Sequence, residues 1–488
     1  MTGPRSIAVI GGGITGLAAA HRLGELAAAR HAPIEVTLFE ASGRVGGVFG
    51  TESLAGHTVE TGADSFITNK PWALELCRRL GLEERIITTN PRYRRSLILY
   101  RGQPQPTPDG LELIVPRSLR SLFASPLLSQ AGKFAVAAEP FVPAKSVAAD
   151  ESLADFVRRR MGPEMLERIV QPLVGGIYTS DPEHLSMQAT LPRFVQMERE
   201  HGSLLRAVSQ ERDASGSDSF PVTSMGSDPP SISGARYGLF VSLRGGMSEL
   251  LDALEACVRK SAYVELNTAV RAIEPLADGG YRLTPAAGDV RTFDGVIVAL
   301  PAYRAAALVS DWDAQLAGHL DRIPYASSAI VVTGHRLADI AHPLDAFGLV
   351  VPHVEGRRIL AVSFLSRKFE GRSPEGTVQL RTFVGGAMQP DVLQQDDAAL
   401  VAMVREELRD LLGVTGEPLF QRIARYERGM PQYHVGHLDL VAAIEARERS
   451  HVGFALAGNA YRGVGIPDSI HSGETAVERI FNFLTSSQ

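Results

Sequence analysis

Two cysteines in 488 residues, Cys77 and Cys257, lie in separate helix-like segments. They leave neither a disulfide framework nor a metal-thiolate spacing, and they fit a reducing cytoplasm. The 13 histidines are scattered, with no HxxxH or HxH cluster, so no metal site is read. No apolar run reaches the ~18 residues that a membrane span needs. The chain enters its first strand almost at once, so no signal or transit peptide is read and a cytoplasmic location is expected. Lysine is scarce, at five of the 49 basic residues (Lys70, Lys133, Lys145, Lys260, Lys368), and the net charge is −6. No cluster of basic residues with interleaved aromatics appears, which excludes nucleic acid as a partner. What remains, 44% hydrophobic and 21% charged, is a globular chain too long for one core, expected to divide into two or three domains.

Glycine is placed where chemistry needs it. Val9-Ile10-Gly11-Gly12-Gly13-Ile14-Thr15-Gly16-Leu17 ends an apolar strand and opens a helix, and an acid, Glu40, ends the next apolar run. This is a dinucleotide-binding βαβ pattern: Gly11 permits the tight turn, Gly13 lets backbone approach a pyrophosphate, and Gly16 lets the helix pack on the strand. The helix start at Ile14 and Thr15 meets the negative charge. Glu40 is placed to hydrogen-bond ribose hydroxyls and to repel a 2′-phosphate. The segment that follows, Glu40-Ala41-Ser42-Gly43-Arg44-Val45-Gly46-Gly47, resembles the second flavin motif of the amine oxidase, phytoene desaturase and porphyrinogen oxidase group. An arginine beside two glycines offers a fork of donors and uncrowded backbone to a phosphate.

Along the chain, 57–66 reads as a strand ending in a Gly-Ala turn, 71–88 as a helix, and 93–117 as short strands broken by Pro104, Pro106 and Pro108. Helical periodicity runs from 118 to 208. Residues 209–235 are rich in Ser, Asp, Pro and Gly and lack an apolar period, so they read as a mobile loop. The apolar strand at 296–300 belongs in a parallel sheet covered on both faces, and strands at 326–333, 347–351, 359–364 and 378–385 suggest a separate mixed sheet. Near the end a second Gly-rich loop, from Gly458 to Ile466, feeds a helix whose Pro467 suits a first turn. In a flavin domain such a helix start faces the N1/C2 carbonyl edge, where negative charge appears on reduction.

The strings Gly175-Gly176-Ile177-Tyr178-Thr179-Ser180-Asp181-Pro182, Met430-Pro431-Gln432-Tyr433-His434-Val435-Gly436-His437 and Gly463-Val464-Gly465-Ile466-Pro467-Asp468 are more specific than the glycine fingerprint. On these the chain resembles, over nearly its whole length, the bacterial porphyrinogen oxidases of haem biosynthesis. The resemblance implies an α/β fold: a Rossmann-type FAD-binding domain (1–70, 243–302 and 441–488), an inserted mixed-sheet substrate domain (71–117 and 303–440) and a helical domain (118–208). It implies FAD held by Gly11, Gly13, Ile14, Thr15, Gly16, Glu40, Arg44, Gly46 and Gly47, with Gly62, Ala63, Asp64, Val270, Gly458, Asn459, Val464, Gly465 and Ile466 completing the site. No His or Cys stands at an obvious flavin-linking position, so the cofactor is expected to be non-covalent. It further implies a porphyrinogen substrate oxidised at the expense of dioxygen, with hydrogen peroxide released.

Two branches of that family stay open. The stretch 103–116 is similar to the longer version in Gram-positive coproporphyrinogen oxidases, which favours coproporphyrinogen III, with protoporphyrinogen IX as the alternative. A flavin amine oxidase would set a lysine in the substrate domain, where between 303 and 440 only Lys368 stands; a porphyrin-binding flavoprotein without catalysis would need the same pocket. Porphyrinogen meso carbons are activated by flanking pyrroles, so no acid–base triad is nominated. Asp64 is the polar candidate for pyrrole N–H groups, against an Asx turn satisfying its own backbone. Arg95, or equally Arg94, is the candidate clamp for a propionate, because a planar guanidinium matches a carboxylate bidentately. The segment from Leu119 through Phe141 is either core or a peripheral membrane contact, and oligomeric state is not legible.

Overall fold

A computed structural model describes residues 4–145, 149–215, 240–286 and 288–486, the side chains of 212–215 and 483–486 excepted. Its first layer is a five-stranded parallel sheet in the order Ala262–Glu265, Ile34–Phe39, Arg5–Ile10, Gly295–Val298, Phe454–Leu456. Strand residues alternate between faces, and here both faces are covered. Ile7, Val9 and Ile297 enter the core shared with the helices Ile14–Ala29, Ser248–Ser261 and Ile466–Ser486. Ala8, Ile10, Val296 and Val298 enter a second core on the other side, with the antiparallel strands Val270–Pro275, Tyr281–Pro285 and Arg291–Phe293. Apolar residues on both faces are what made these strands read as continuous hydrophobic runs.

A seven-stranded sheet forms the second layer, ordered Phe420–Pro431, Tyr325–Arg336, Thr377–Gly385, Ala361–Phe364, Gly348–Val350, Leu97–Tyr100, Gln103–Pro106. It is mixed: Gly348–Val350 runs parallel to Leu97–Tyr100, and Tyr325–Arg336 is antiparallel to both its neighbours. Helix Asp397–Leu412 packs on it through Leu400, Val404 and Leu408. Pro104 and Pro106 lie in the edge strand, where a missing N–H costs no ladder bond.

The third body is helical, from Leu119–Ala124 to Leu204–Ser215. Its interior holds Arg160, which pairs with Glu139 and Glu198. Glu139 also accepts Ser203 Oγ (2.5 Å) and the Leu204 N–H (3.0 Å), capping the last helix of the body. Pro126 lies between the helices Leu119–Ala124 and Gln130–Ala137. Leu122, Leu127 and Val136 are buried, while Phe134 and Phe141 are 65% and 84% exposed.

Two expectations need correction. The helix expected over 71–88 is Trp72–Arg79, and Ile86–Thr88 is a strand paired with Phe240–Leu243; Gly81 at φ +72° turns the chain between them. Of the loop expected over 209–235, residues 209–215 belong instead to helix Leu204–Ser215; the rest, 216–235, lies outside the described residues. Among the described residues no helix is long and apolar enough to cross a membrane.

Candidate flavin and substrate site

The glycines of the first turn do different things. Gly11, at φ +106°, sits where an added Cβ would stand 2.4 Å from the Ala299 carbonyl oxygen, and a Cβ on Gly16 would stand 1.9 Å from the Gly11 oxygen. Both permit close packing of backbone on backbone. A Cβ on Gly13 would meet nothing within 4 Å. The helix beginning at Ile14 has no side-chain cap and no acid in its first turn, and the N–H groups of Gly13, Ile14 and Thr15 meet no acceptor among the described residues. Open space, unspent donors and the positive end of a helix dipole form an anion cradle, so these residues fit a dinucleotide pyrophosphate.

Glu40 accepts the Gly12 N–H on Oε2 (2.7 Å) and the Ser42 N–H and hydroxyl on Oε1 (2.8 Å each). With roughly four acceptor sites on a carboxylate, it both fixes the turn and keeps capacity for a ribose hydroxyl. Its carbonyl takes the Thr268 N–H at 2.8 Å, which sets the strand starting at Val270 beside it. Gly46 donates to the Gly12 carbonyl (2.7 Å), and a Cβ on Gly47 would lie 3.4 Å from Gly13 Cα, so the two glycine loops abut. Arg44 departs from the expected phosphate fork. Gly46 (φ +106°) and Gly47 (φ +59°) make a turn whose carbonyls converge on its guanidinium, and it donates to Phe49 (2.9 Å), Gly47 (3.0 Å) and Val45 (3.1 Å). It braces the loop.

The C-terminal loop supplies the other end. Gly458, at φ +139°, donates to Ser472 Oγ at 2.9 Å. From Asn459 the chain runs through Val464 and Gly465 into helix Ile466–Ser486, with Pro467 in its first turn. The N–H groups of Val464, Gly465 and Ile466 meet no acceptor among the described residues. Donors held without a partner at a helix start fit the edge of a ring system that gains negative charge.

Between the C-terminal loop, the mixed sheet and the helical body lies one cavity of ≈ 2980 Å³, about three times the upper end of ordinary ligand pockets at ~1,000 Å³; the Gly11–Gly16 and Glu40–Gly47 loops do not line it. Gly62, Ala63, Asp64, Asn459 and the Val464–Ile466 stretch line it, as do Arg94, Arg117, Arg193, Lys368 and Arg381. Gly62 is obligatory for its shape, because a Cβ there would stand 2.0 Å from the Val48 oxygen.

Asp64 faces this cavity with three donors already on its carboxylate. Its Oδ1 takes Lys368 Nζ (2.9 Å) and Ser65 Oγ (2.5 Å), and its Oδ2 takes Arg381 Nη1 (3.1 Å). Burial works to raise this carboxyl; the Lys368 and Arg381 cations outweigh burial and hold it well below the usual carboxylate range. It is a fixed anion in a cationic wall. Arg95 is a plain correction: its Nε donates to the Asp345 carbonyl (2.8 Å), its guanidinium pairs with the Asp345 carboxylate, and its side chain is 43% exposed and outside the cavity. The chain turns sharply at Arg94 (φ −67°, ψ 57°), where the Arg95 N–H bonds the Tyr93 carbonyl at 2.6 Å, and the two side chains part, Arg94 facing in and Arg95 out. Arg94 lines the cavity while donating to Thr89 Oγ1 (3.2 Å) and O (3.1 Å). The prolines 104, 106 and 108 do not line it; Gly110, Glu112, Leu113, Pro116 and Arg117 from the next segment do.

Sequence reasoning missed Arg381, although a charge in the middle of the apolar strand Thr377–Gly385 is a signal for a buried functional cation. It also assigned Tyr433 no role, and Tyr433 lines the cavity.

A family model described as flavin containing amine oxidoreductase matches residues 14–481. The coproporphyrinogen III oxidase of Bacillus subtilis is 31% identical, over 99% of both chains. Protoporphyrinogen oxidase 2 of Arabidopsis thaliana is 28% identical, over 99% of this chain and 95% of that one. A crystal structure from Exiguobacterium sp. 255-15 superposes with a TM-score of 0.85 at 29% identity, covering 98% of this chain and 99% of that one.

Proposed function

The chain belongs to the flavin containing amine oxidoreductases and is an FAD-dependent oxidoreductase, and from that premise we propose that it oxidises coproporphyrinogen III to coproporphyrin III in haem biosynthesis, passing electrons to dioxygen and releasing hydrogen peroxide. The observation that carries this reading is end-to-end similarity to a coproporphyrinogen III oxidase joined to a cavity large enough for a tetrapyrrole beside a flavin. FAD, when bound, supplies a two-electron acceptor for a carbon-bound hydrogen. The chain's own work is to bind and orient. Gly13 and the helix start at Ile14 hold the pyrophosphate, Glu40 the ribose, and the Val464–Ile466 donors the edge that turns negative.

No residue of the wall needs to remove a proton from carbon, because the flanking pyrroles already activate the meso position. The paired state of Asp64 agrees with that, since a carboxylate held ionised by two cations is a poor base. Arg117 and Arg193, paired with Glu112 and Glu211, set two guanidiniums, the group that matches a carboxylate, on this part of the cavity wall. Arg94 and Arg117 stand on either side of the 103–116 stretch that favours the coproporphyrinogen branch.

The Arabidopsis relative keeps protoporphyrinogen IX as the second reading. Product analysis and steady-state rates with each porphyrinogen separate them: a higher kcat/KM for coproporphyrinogen III supports the first, and the reverse order moves the protein to the other branch. Anaerobic mixing with coproporphyrinogen III bleaches the flavin of an oxidase and leaves that of a mere carrier yellow. Peripheral membrane contact, if made, would use the exposed rings of Phe134 and Phe141, and cosedimentation with anionic vesicles that disappears on Phe134→Ser, Phe141→Ser tests it.

A further inference from the structure

Tyr433 and His437 form a single grip on the loop that leads into the C-terminal helix. The Tyr433 hydroxyl donates to the Asn459 carbonyl at 2.6 Å and accepts the Gly463 N–H at 2.8 Å, and the residue is 1% exposed. His437 stacks on the phenol ring, with centroids 3.9 Å apart and planes 13° from parallel. His437 Nε2 lies 2.8 Å from the Tyr461 carbonyl. A carbonyl only accepts, so Nε2 carries the proton. Burial pushes the imidazole down to about 4, which keeps it neutral at ordinary pH.

Three backbone atoms between 459 and 463 are thus held from one side. From the other, Gly463 is packed so closely on Asp468 that a Cβ would stand 2.3 Å from its Cγ. The loop has no slack, and the next three N–H groups are the unspent donors of Val464, Gly465 and Ile466.

We propose that Tyr433 and His437 are positioning residues that favour the reduced flavin, by locking the helix-start donors onto the edge of the ring where reduction places negative charge. This rests on the assignment of the 458–466 loop to the cofactor. The hydroxyl is the essential part, because it alone satisfies a carbonyl and an N–H at once. Phenylalanine keeps the ring and its stacking but leaves both buried groups without a partner. Oxidised flavin carries little charge at that edge, so a loosened loop weakens binding of the reduced form more.

The test compares FAD dissociation constants in both redox states, and the midpoint potential of the bound cofactor, across four variants. Tyr433→Phe is expected to lower the affinity for reduced relative to oxidised FAD about tenfold, which for a two-electron couple is a fall of ~30 mV. His437→Phe should move the potential the same way. His437→Gln, whose amide can donate to the Tyr461 carbonyl, should restore it. A loss of general stability alone would lower the melting temperature and leave the potential where it was. Gly465→Val perturbs the loop directly and serves as the control: a shifted potential there with none in Tyr433→Phe and His437→Phe refutes the grip, and no shift in any variant removes the loop from the cofactor. Should Tyr433→Phe fail to fold, the two His437 variants decide alone.

Discussion

Replacing Gly13 by valine should separate folding from cofactor binding. The backbone there is extended, at φ −71° and ψ 178°, a conformation any residue adopts. A Cβ meets nothing within 4 Å, so the apoprotein should fold with unchanged stability. The same emptiness is the space the pyrophosphate needs. A valine side chain would push the phosphates away from the unspent N–H groups of Gly13, Ile14 and Thr15. Two charge-assisted hydrogen bonds lost at ~1.5–3 kcal/mol each give ~3–6 kcal/mol together, or roughly two to four decades in Kd. Gly16→Ala is the contrasting variant. Its Cβ would stand 1.9 Å from the Gly11 oxygen, so it should lose ~1–3 kcal/mol of stability or more through overpacking. Thermal unfolding of apoprotein, together with FAD titration by flavin fluorescence, reads both quantities. A Gly13→Val protein that purifies with its full complement of flavin would refute the cradle.

Arg94→Ala should lower the kcat/KM ratio of coproporphyrinogen III to protoporphyrinogen IX roughly ten- to a hundredfold, the worth of one charge-assisted pair at ~1.5–3 kcal/mol. Arg95→Ala, which removes an exposed pair with Asp345, should leave that ratio alone and cost under ~1 kcal/mol of stability; equal effects in both would show that the cavity wall has been misassigned. Asp64→Asn strands the buried cations Lys368 and Arg381 and should destabilise by ~3–5 kcal/mol. The depressed Asp64 carboxyl contributes stability that is full above an unfolded value of ~3.9 and fades as pH falls below it, so the variant's acid limb in a melting series should be flatter than that of the wild type. His335 is buried and pushed down to about 4. The unfolded chain therefore binds its proton first, and stability should decline as pH falls from ~6.5 to ~4; His335→Gln should flatten this window, and identical pH profiles would remove His335 from the balance.

The local parts of this protein were written in its sequence, because they depend on neighbours within a few residues. A glycine turn, the helix it opens and an acid at the next strand end imply a dinucleotide unit before any tertiary contact is known, and the apolar run at 296–300 implied a strand covered on both faces. What the sequence could not decide was direction and partnership across long separations. Arg94 and Arg95 are adjacent and chemically identical, and only the turn at Arg94, with the hydrogen bonds to Thr89 and Asp345, decides which one faces the cavity. Asp64 read as a candidate ligand from its turn alone, and only folding shows that Lys368 and Arg381, 304 and 317 residues away, pair with its oxygens. Arg44 kept its place behind Glu40 but turned onto the carbonyls of its own loop. The same holds for Tyr433: its hydroxyl matters only because folding brings Asn459 and Gly463 to it. Turn and helix signals arise from local sterics and are therefore legible in sequence, whereas a side chain's hydrogen-bond partners are selected by the packing of separate bodies around a shared cavity.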